Sequence, residues 1–409
     1  MRIEATRSVT SETPCTGAVR EVAPVATPSA HRLEGTFAYA VRNRWSGFDP
    51  YDALLSPVAG LQPLRDSRPF RLAFTQVGKR SPVNLRRLLG IPRTTNSKSF
   101  ALFLSAASRA PSGTEAHRQI PSLVAMLRGA AVERWPGTGW GYPFPWQGRS
   151  FYLPAGTPTV VVTAFAGEAF LDAHAATGDD RFLSAALDAC RFVLEALNRT
   201  EDETGICLSY SPLDRTAVYN ASLLGARLLA LTEQRAGRPD LIERARPLVT
   251  YALARQRPDG SWPYGEAGHQ GWTDSFHTGF VLGALDVYRR ATGDSATAAA
   301  VERGARFYAG RLFGPSGEPY YYPDRRYPYD IHSAAQGVLT FLQLRDLFPD
   351  FAERARSVGR WMVETMLDPE GFFYYQVRRT HTVRIPYMRW SQAWGVRALA
   401  ELARCGVEP

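Results

Sequence analysis

The chain has 409 residues, of which 45% are apolar and 21% charged, so it can bury a large core and is not a mostly disordered protein. Its formal charge is +9, but only two of its 48 basic residues, Lys79 and Lys98, are lysine, and the arginines are scattered without a run of five. Scattered positive charge of this kind differs from the clustered basic and aromatic residues of a nucleic-acid-binding surface, and we expect no nucleic-acid partner.

Residues 1–30 are rich in Thr, Pro, Ala and Val and lack the apolar core of a signal peptide. We predict a disordered tail there and a cytoplasmic protein, with no membrane span because no apolar run is long enough. The four cysteines lie far apart, which favours free thiols over disulfides or a zinc site. They are Cys15, Cys190, Cys207 and Cys405.

Residues 31–95 are not repetitive, and we predict that they form a segment packed on a larger domain at residues 96–409. Three polar residues of this segment lie in turn-forming sequence: Asp49, Asp52 and Asn84. We expect them to form turns and helix caps; the alternative is that they belong to a lid over a cleft. Nucleotide-binding glycine motifs are absent from the whole sequence, so we expect no cofactor.

One element recurs along the larger domain: a glycine-centred turn flanked by aromatic residues. After the first copy the spacing is about 55 residues, which is typical of a repeated supersecondary unit. The copies are Gly137–Tyr142, Thr204–Tyr210, Asp259–Tyr264, Ser316–Tyr321 and Glu370–Tyr375.

Two helical patterns lie between successive turns, with a Thr-Gly-Asp break between them at Thr177 and again at Thr292. Residues 32–55 can supply the partner of the last helix. The predicted helices cover residues 97–109, 115–130, 158–176, 181–198, 216–235, 239–256, 273–291, 296–312, 330–346, 350–367 and 388–404.

The first helix of each pair is rich in small residues and low in charge, whereas the second carries charge on one face. The first helices therefore belong to an inner ring and the second to an outer ring. Six such hairpins close into an all-α (α/α)6 toroid with short β-like turns and an irregular N-terminal segment.

Over residues 95–405 the chain resembles the six-hairpin glycosidase-like superfamily, and it also resembles a bacterial family found in polysaccharide-biosynthesis settings. The second resemblance lies in Asp259–Glu266, Trp272–Gly279 and Tyr327–Gln336. Both imply a carbohydrate-active, glycoside hydrolase-like enzyme that acts on a polysaccharide or oligosaccharide. Protein prenyltransferases, lanthionine cyclases and terpenoid cyclases also use toroids, but their zinc-ligand and acidic motifs are missing, and we expect no metal.

Asp274 and Asp330 begin adjacent inner helices, where two carboxylates could act as the general acid and general base of glycoside hydrolysis. Helix N-capping is the alternative role for both. His277 and His332 follow in the same first turns and could instead move a proton on a uronate, as in an epimerase or lyase, with Tyr219 or Tyr329. Hydrogen bonding inside the helix ring is the alternative for each histidine.

Aromatic and polar residues at the junctions between turns and inner helices are candidates for binding a sugar, since aromatic faces stack on sugar rings. Arginines near the last turn could bind an anionic group, namely Arg378, Arg379, Arg384 and Arg389. A non-catalytic glycan-binding or scaffold role is the third hypothesis, and the oligomeric state is open. The substrate-binding candidates are Trp140, Trp146, Tyr219, Asn220, Trp262, Trp272, Tyr321, Tyr329, Arg389 and Trp390.

Overall fold

The computed structural model describes residues 28–409, so most of the predicted tail at residues 1–30, including Cys15, lies outside the described part. Fourteen α-helices lie within that part. In chain order they are α1 (Pro28–Arg42), α2 (Arg68–Arg80), α3 (Ser97–Arg109), α4 (Glu115–Arg118), α5 (Ile120–Gly129), α6 (Val160–Thr177), α7 (Asp180–Glu195), α8 (Tyr219–Ala236), α9 (Pro239–Leu253), α10 (Ser275–Thr292), α11 (Ser295–Arg311), α12 (Ile331–Gln343), α13 (Phe351–Met366) and α14 (Trp394–Arg404).

Short antiparallel strands occupy the turns between the hairpins. β1 pairs with β2, β3 pairs with β4, and β6 lies between β5 and β7. The strands are β1 (Trp146–Gln147), β2 (Tyr152–Leu153), β3 (Arg199–Asp202), β4 (Gly205–Leu208), β5 (Tyr329–Asp330), β6 (Gln376–Val377) and β7 (Thr382–Val383). Four 3₁₀ turns also lie within the described residues, at Asp52–Leu55, Pro57–Gly60, Leu64–Asp66 and Gly268–Gln270.

Six helices form a closed inner ring. Helices α3, α6, α8, α10, α12 and α14 each pack on the next, and α14 packs back on α3. Each also packs on an outer partner, which is α5, α7, α9, α11, α13 or, for α14, the N-terminal α1. The predicted (α/α)6 toroid is therefore confirmed.

Small residues let the inner helices approach one another closely. A Cβ added to Gly167 of α6 would lie 2.6 Å from a methyl carbon of Leu228 on α8, and one on Gly279 of α10 would lie 2.6 Å from Gln336 Cγ on α12. These glycines are helical, so they weaken the isolated helix by about 1 kcal/mol each but permit contacts that a side chain would block.

Tight turns join α6 to α7 and α10 to α11. Gly178 ends α6 with φ of 72° and Gly293 ends α10 with φ of 71°, which is the left-handed region that favours glycine. Asp179 and Asp294 then cap the following helices through their side chains. The Thr-Gly-Asp breaks of the sequence are these two turns.

Three predicted helices differ in detail. Residues 115–130 form two helices rather than one, because Pro121 lacks a backbone N–H and starts a new first turn in α5. The last inner helix begins with a π-helical turn at Met388–Ala393. The partner of the last inner helix, expected near residues 32–55, is α1 at Pro28–Arg42, which ends there because the chain turns away through positive φ values at Arg44 and Trp45.

A substitution at Phe37 of α1 tests how much this N-terminal helix contributes to the stability of the ring. Phe37 is fully buried and its ring meets those of Trp45 and Phe103, the latter on inner helix α3. Phe37→Ala should lower the free energy of unfolding by about 3–5 kcal/mol, because the cavity it leaves cannot collapse. Urea denaturation measures this. Leu88→Ala, at a side chain 84% exposed, is the control and should change stability by less than about 0.5 kcal/mol. Equal effects of the two variants would contradict the packing role of α1.

Candidate active site

A cavity of about 1020 Å³ opens at the end of the ring where the inner helices begin. Each inner helix or the turn that opens it contributes at least one side chain to the wall. These side chains are Lys98, Val161, Asn220, His277, His332 and Trp390. The aromatic turns and the N-terminal α2 form the rest of the wall.

Six of the ten predicted binding residues line this cavity. They are Trp146, Asn220, Trp272, Tyr321, Arg389 and Trp390. The other four do not line it, because each is engaged elsewhere. Trp140 and Trp262 donate their indole N–H to carbonyls of outer helices, Tyr219 donates to Glu266, and Tyr329 packs among Tyr320, Tyr327 and Trp361.

Asp274 and His277 form a dyad at the start of α10. The Asp274 carboxylate accepts the backbone N–H of His277 at 2.9 Å, which makes it the N-cap, and its second oxygen lies 2.8 Å from His277 Nδ1. Because a carboxylate only accepts, Nδ1 carries a proton and Nε2 is left free on the cavity side. Asp274 itself is buried and does not line the cavity, so it acts on the cavity through the imidazole.

Asp330 caps α12 and is fully buried behind the cavity wall. It accepts the backbone N–H of His332 at 2.9 Å, Gln376 Nε2 at 2.6 Å and the indole N–H of Trp390 at 2.9 Å. Burial raises the pKa of Asp330 to about 6, although the hydrogen bonds from Gln376 and Trp390 oppose that rise. Like Asp274, it holds a cavity residue in place and does not itself line the cavity.

His332 lies in the cavity wall between aromatic rings. Its ring stacks on Phe276 and Trp394 with centroids 4.3 Å and 4.2 Å away, and Trp390 meets it edge-on. Neither ring nitrogen has a hydrogen-bond partner among the described residues. Burial, followed by the positive charges of Lys98 and Arg389, holds the pKa of His332 well below its usual value. The imidazole is therefore neutral, with a free lone pair.

Both lysines of the chain line the cavity, which the sequence reasoning did not anticipate. Lys79 reaches it from α2 and Lys98 from the first turn of α3. Tyr51, from the N-terminal segment, accepts a hydrogen bond from Lys79 at 2.6 Å. Only the rarity of lysine among 48 basic residues could have drawn attention to these two positions.

The charged residues of the cavity wall are predominantly basic. Among residues 28–409 only two acidic residues, Asp259 and Asp324, line it, and both bind neighbouring residues. Arg389 is held by Asp49 through two hydrogen bonds of 2.6 and 2.7 Å, an ion pair buried on both sides. The basic residues of the wall are Lys79, Arg80, Lys98, Arg149, Arg257, Arg311, Arg325, Arg378 and Arg389.

Asp49 ties the N-terminal segment to the ring, and Asp52 holds Asp49 within that segment. Asp52 forms a buried ion pair with Arg86 at 2.7 Å and also accepts the backbone N–H of Asp49. Asp49 in turn binds Arg389, so these carboxylates are structural links beside the cavity rather than free acids.

Neither a metal-binding cluster nor a membrane-spanning helix is found in the described part of the chain. Among residues 28–409, no cluster of three or more His, Cys, Asp or Glu side chains is arranged to hold a metal ion. The helices of the same residues are all too short or too polar to cross a bilayer.

No protein-family model and no curated protein sequence matches the chain significantly. Solved structures do match. A cellobiose 2-epimerase from Bacillus thermoamylovorans has a TM-score of 0.62 at 14% identity, covering 77% of this chain and 90% of that one. An unsaturated glucuronyl hydrolase specific for heparin has a TM-score of 0.62 at 11% identity, covering 93% and 98%.

A GH76 α-mannanase from Bacteroides thetaiotaomicron has a TM-score of 0.60 at 10% identity, covering 76% of this chain and 86% of that one. These three structures are six-hairpin glycosidase-fold proteins. The chain therefore has the six-hairpin fold that the sequence resemblance implied. At these identities the similarity establishes the fold alone.

The raised pKa of Asp330 predicts how stability changes with pH. In the folded protein this carboxyl titrates at about 6 instead of its ordinary 3.8, so the folded state holds a proton that the unfolded state has released. Relative to Asp330→Asn, the wild type should gain roughly 2 to 3 kcal/mol of unfolding free energy as pH falls from about 7.5 to about 4. Urea denaturation of both proteins across this range measures it. A stability difference that does not change with pH would refute the assignment.

Proposed function

We propose that the protein is a carbohydrate-active enzyme that moves a proton on a carbon of a sugar, as an epimerase or lyase does. The observation that carries the proposal is that the imidazoles of His277 and His332 line the cavity while Asp274 and Asp330 do not. Both ring nitrogens of His332 lack a partner among the described residues, and the imidazole of His277 is bonded to Asp274 through Nδ1 alone. Proton transfer at carbon needs one basic and one acidic group beside the same substrate atom.

His332 is suited to the role of base. It is neutral, unpartnered and held by rings on both faces, so its lone pair is available without breaking a protein hydrogen bond. It takes a proton from a carbon next to a carbonyl or carboxylate, and the electron pair of the broken C–H bond moves into that carbonyl group to give an enolate.

His277 is suited to the role of acid. Asp274 stabilises the protonated imidazole, as the carboxylate of a catalytic triad does. Donation from Nε2 to the opposite face of the enolate carbon gives the epimer. If the bond from the next carbon to its oxygen substituent breaks instead, the enolate electrons form a double bond, the departing oxygen takes the bond's electron pair and the proton from His277 Nε2, and the outcome is elimination.

The rest of the cavity wall supports a sugar as the ligand. Trp272 stacks on Tyr264 with centroids 4.4 Å apart, and Trp146 and Trp390 also present rings to the cavity. Buried polar atoms without partners, Asn220 Nδ2 and Tyr375 Oη, lie in residues of the same wall. Such atoms are costly unless a ligand or water binds them, and sugar hydroxyls can.

The basic residues of the wall favour a substrate with a negative charge, and the cavity volume of about 1020 Å³ has room for a polymer end or an oligosaccharide. The fold neighbours named for a sugar epimerase and for a glucuronyl hydrolase are consistent with that substrate class. The resemblance to a family found in polysaccharide-biosynthesis settings favours a role in exopolysaccharide metabolism.

Glycoside hydrolysis with Asp274 and Asp330 is the second candidate. One observation favours it: the raised pKa of Asp330, about 6, is typical of a carboxylic acid that donates a proton to a leaving group. Substrate binding would then have to move Trp390 away from this carboxyl, because the indole N–H now occupies it.

Solvent exchange distinguishes these reactions. Incubation of the protein with uronic acid-containing oligosaccharides in deuterium oxide should place deuterium on the carbon beside the carboxylate, as read by NMR and mass spectrometry. His332→Gln and His277→Gln should each lower the rate at least about 100-fold, the usual contribution of a general acid or base. His381→Gln, at an exposed histidine that does not line the cavity, is the matched control and should retain full activity.

Three other outcomes would contradict the proposal. Release of new reducing ends without deuterium uptake, abolished by Asp330→Asn, would mean hydrolysis. Equal exchange by the wild type and both histidine variants would remove the histidines from the reaction. Binding of oligosaccharides without any turnover would leave a glycan-binding role.

A further inference from the structure

Lys98 is a buried amine that no acidic group among residues 28–409 pairs with. It is the second residue of inner helix α3, is 3% exposed and lines the cavity. Its Nζ lies 4.4 Å from the ring centre of Phe165, 5.4 Å from that of Phe280 and 5.3 Å from that of Trp394. Within residues 28–409 it has no hydrogen-bond acceptor and no ion-pair partner.

The other basic residues of the wall differ from Lys98. Those that are buried or half-buried have protein partners, and the rest are exposed at the rim, where water solvates them. Arg389 binds Asp49, Lys79 donates to Tyr51, Arg378 donates to Gln376, and Arg80, Arg149 and Arg311 are exposed. Lys98 therefore differs from the rest of the wall in being both deeply placed and unpaired.

The charged and titratable groups facing Lys98 make an ammonium there unfavourable while the cavity holds no anion. Arg389 is positively charged, and the carboxylate of Asp49 already forms an ion pair with it. His332 contacts the same two rings as Lys98, those of Phe280 and Trp394. Burial, followed by the charge of Arg389, holds the pKa of Lys98 well below its usual value. The ring contacts favour the ammonium, but they supply no hydrogen-bond acceptor for its three N–H groups.

We propose that Lys98 binds the carboxylate of an anionic sugar inside the cavity. The inference rests on the proposed function in one respect, that the ligand is a sugar. A carboxylate supplies both the negative charge and the acceptors that Nζ lacks. Since Lys98 and His332 contact the same two rings, a carboxylate bound to Lys98 also brings the adjacent carbon close to the His332 imidazole.

The choice of lysine is meaningful in a chain that otherwise uses arginine almost throughout. An arginine in this position would stay charged in the empty cavity, because its guanidinium does not deprotonate, whereas a lysine can lose its proton and regain it when the anion arrives. Binding of a carboxylate should therefore be accompanied by proton uptake, and its affinity should rise as pH falls toward the lowered pKa of free Lys98.

The test is calorimetric titration with sodium D-glucuronate, with D-glucose as the uncharged counterpart. In the wild type, glucuronate should bind at least about tenfold tighter than glucose, because a hydrogen bond to a charged group in a buried site contributes that much or more. Repeating the titration in buffers of different ionisation enthalpy should reveal proton uptake. Lys98→Met should lose both the preference and the uptake but retain glucose binding, whereas Lys79→Met, at the only other lysine, should retain the proton uptake.

Folding of the variant is verified by its melting temperature, which should not fall, because methionine fills the aromatic pocket without a charge. Unchanged glucuronate preference and proton uptake in folded Lys98→Met would overturn the proposal, and so would a covalent adduct trapped on Lys98 by cyanoborohydride, which would indicate an imine instead. These readouts need no turnover. A catalytically inactive wild type that still shows them would contradict the proposed function alone, and active histidine-dependent exchange without them would contradict the role of Lys98 alone.

Discussion

Closure of the inner ring is the constraint on which the candidate site depends. Helix α14 packs on α3, which begins almost 300 residues earlier in the chain, and this contact brings the first turns of all six inner helices to one mouth. Lys98, His277 and His332 come from three different hairpins and meet only because the ring closes. The N-terminal helix α1 packs over α14 and so contributes to the same closure.

Capping chemistry organises the residues at that mouth. Asp274 and Asp330 each satisfy the first N–H groups of an inner helix, and this fixes the imidazoles that follow them. The carboxylates are thereby withdrawn behind the wall, so that the cavity presents neutral imidazole, aromatic faces and positive charge. These properties support the proposed proton transfer on an anionic ligand more than they support attack by two exposed carboxylates.

Much of the fold could be predicted from the sequence because its signals are local. Aromatic-glycine turns, Thr-Gly-Asp breaks and the low charge of inner helices such as α6 each act within a few residues. The short helices α4 and α5 were harder to separate, since Pro121 within an apolar stretch is compatible with one helix or two.

The site was less predictable because a side chain at the junction between a turn and an inner helix can face either the cavity or an outer helix. Trp140 and Trp262 turn outward and donate to outer-helix carbonyls, whereas Trp272, which also follows a glycine-containing turn, faces the cavity. Local sequence patterns also do not predict ion pairs between residues that lie far apart in the chain. The bond between Arg389 and Asp49 joins residues 340 positions apart, and it removes a cation that the sequence suggested was free to bind a substrate.

A crystal structure with a bound glucuronate-containing oligosaccharide tests the central claim most directly, because it reports where the sugar lies relative to the two imidazoles. The account predicts a uronate ring between His277 and His332, with its carboxylate on Lys98 Nζ and with Asp274 and Asp330 still hydrogen bonded to their helix N-termini. A sugar that contacts both carboxylates with the histidines turned away, or one bound outside the ring of inner-helix termini, would contradict it.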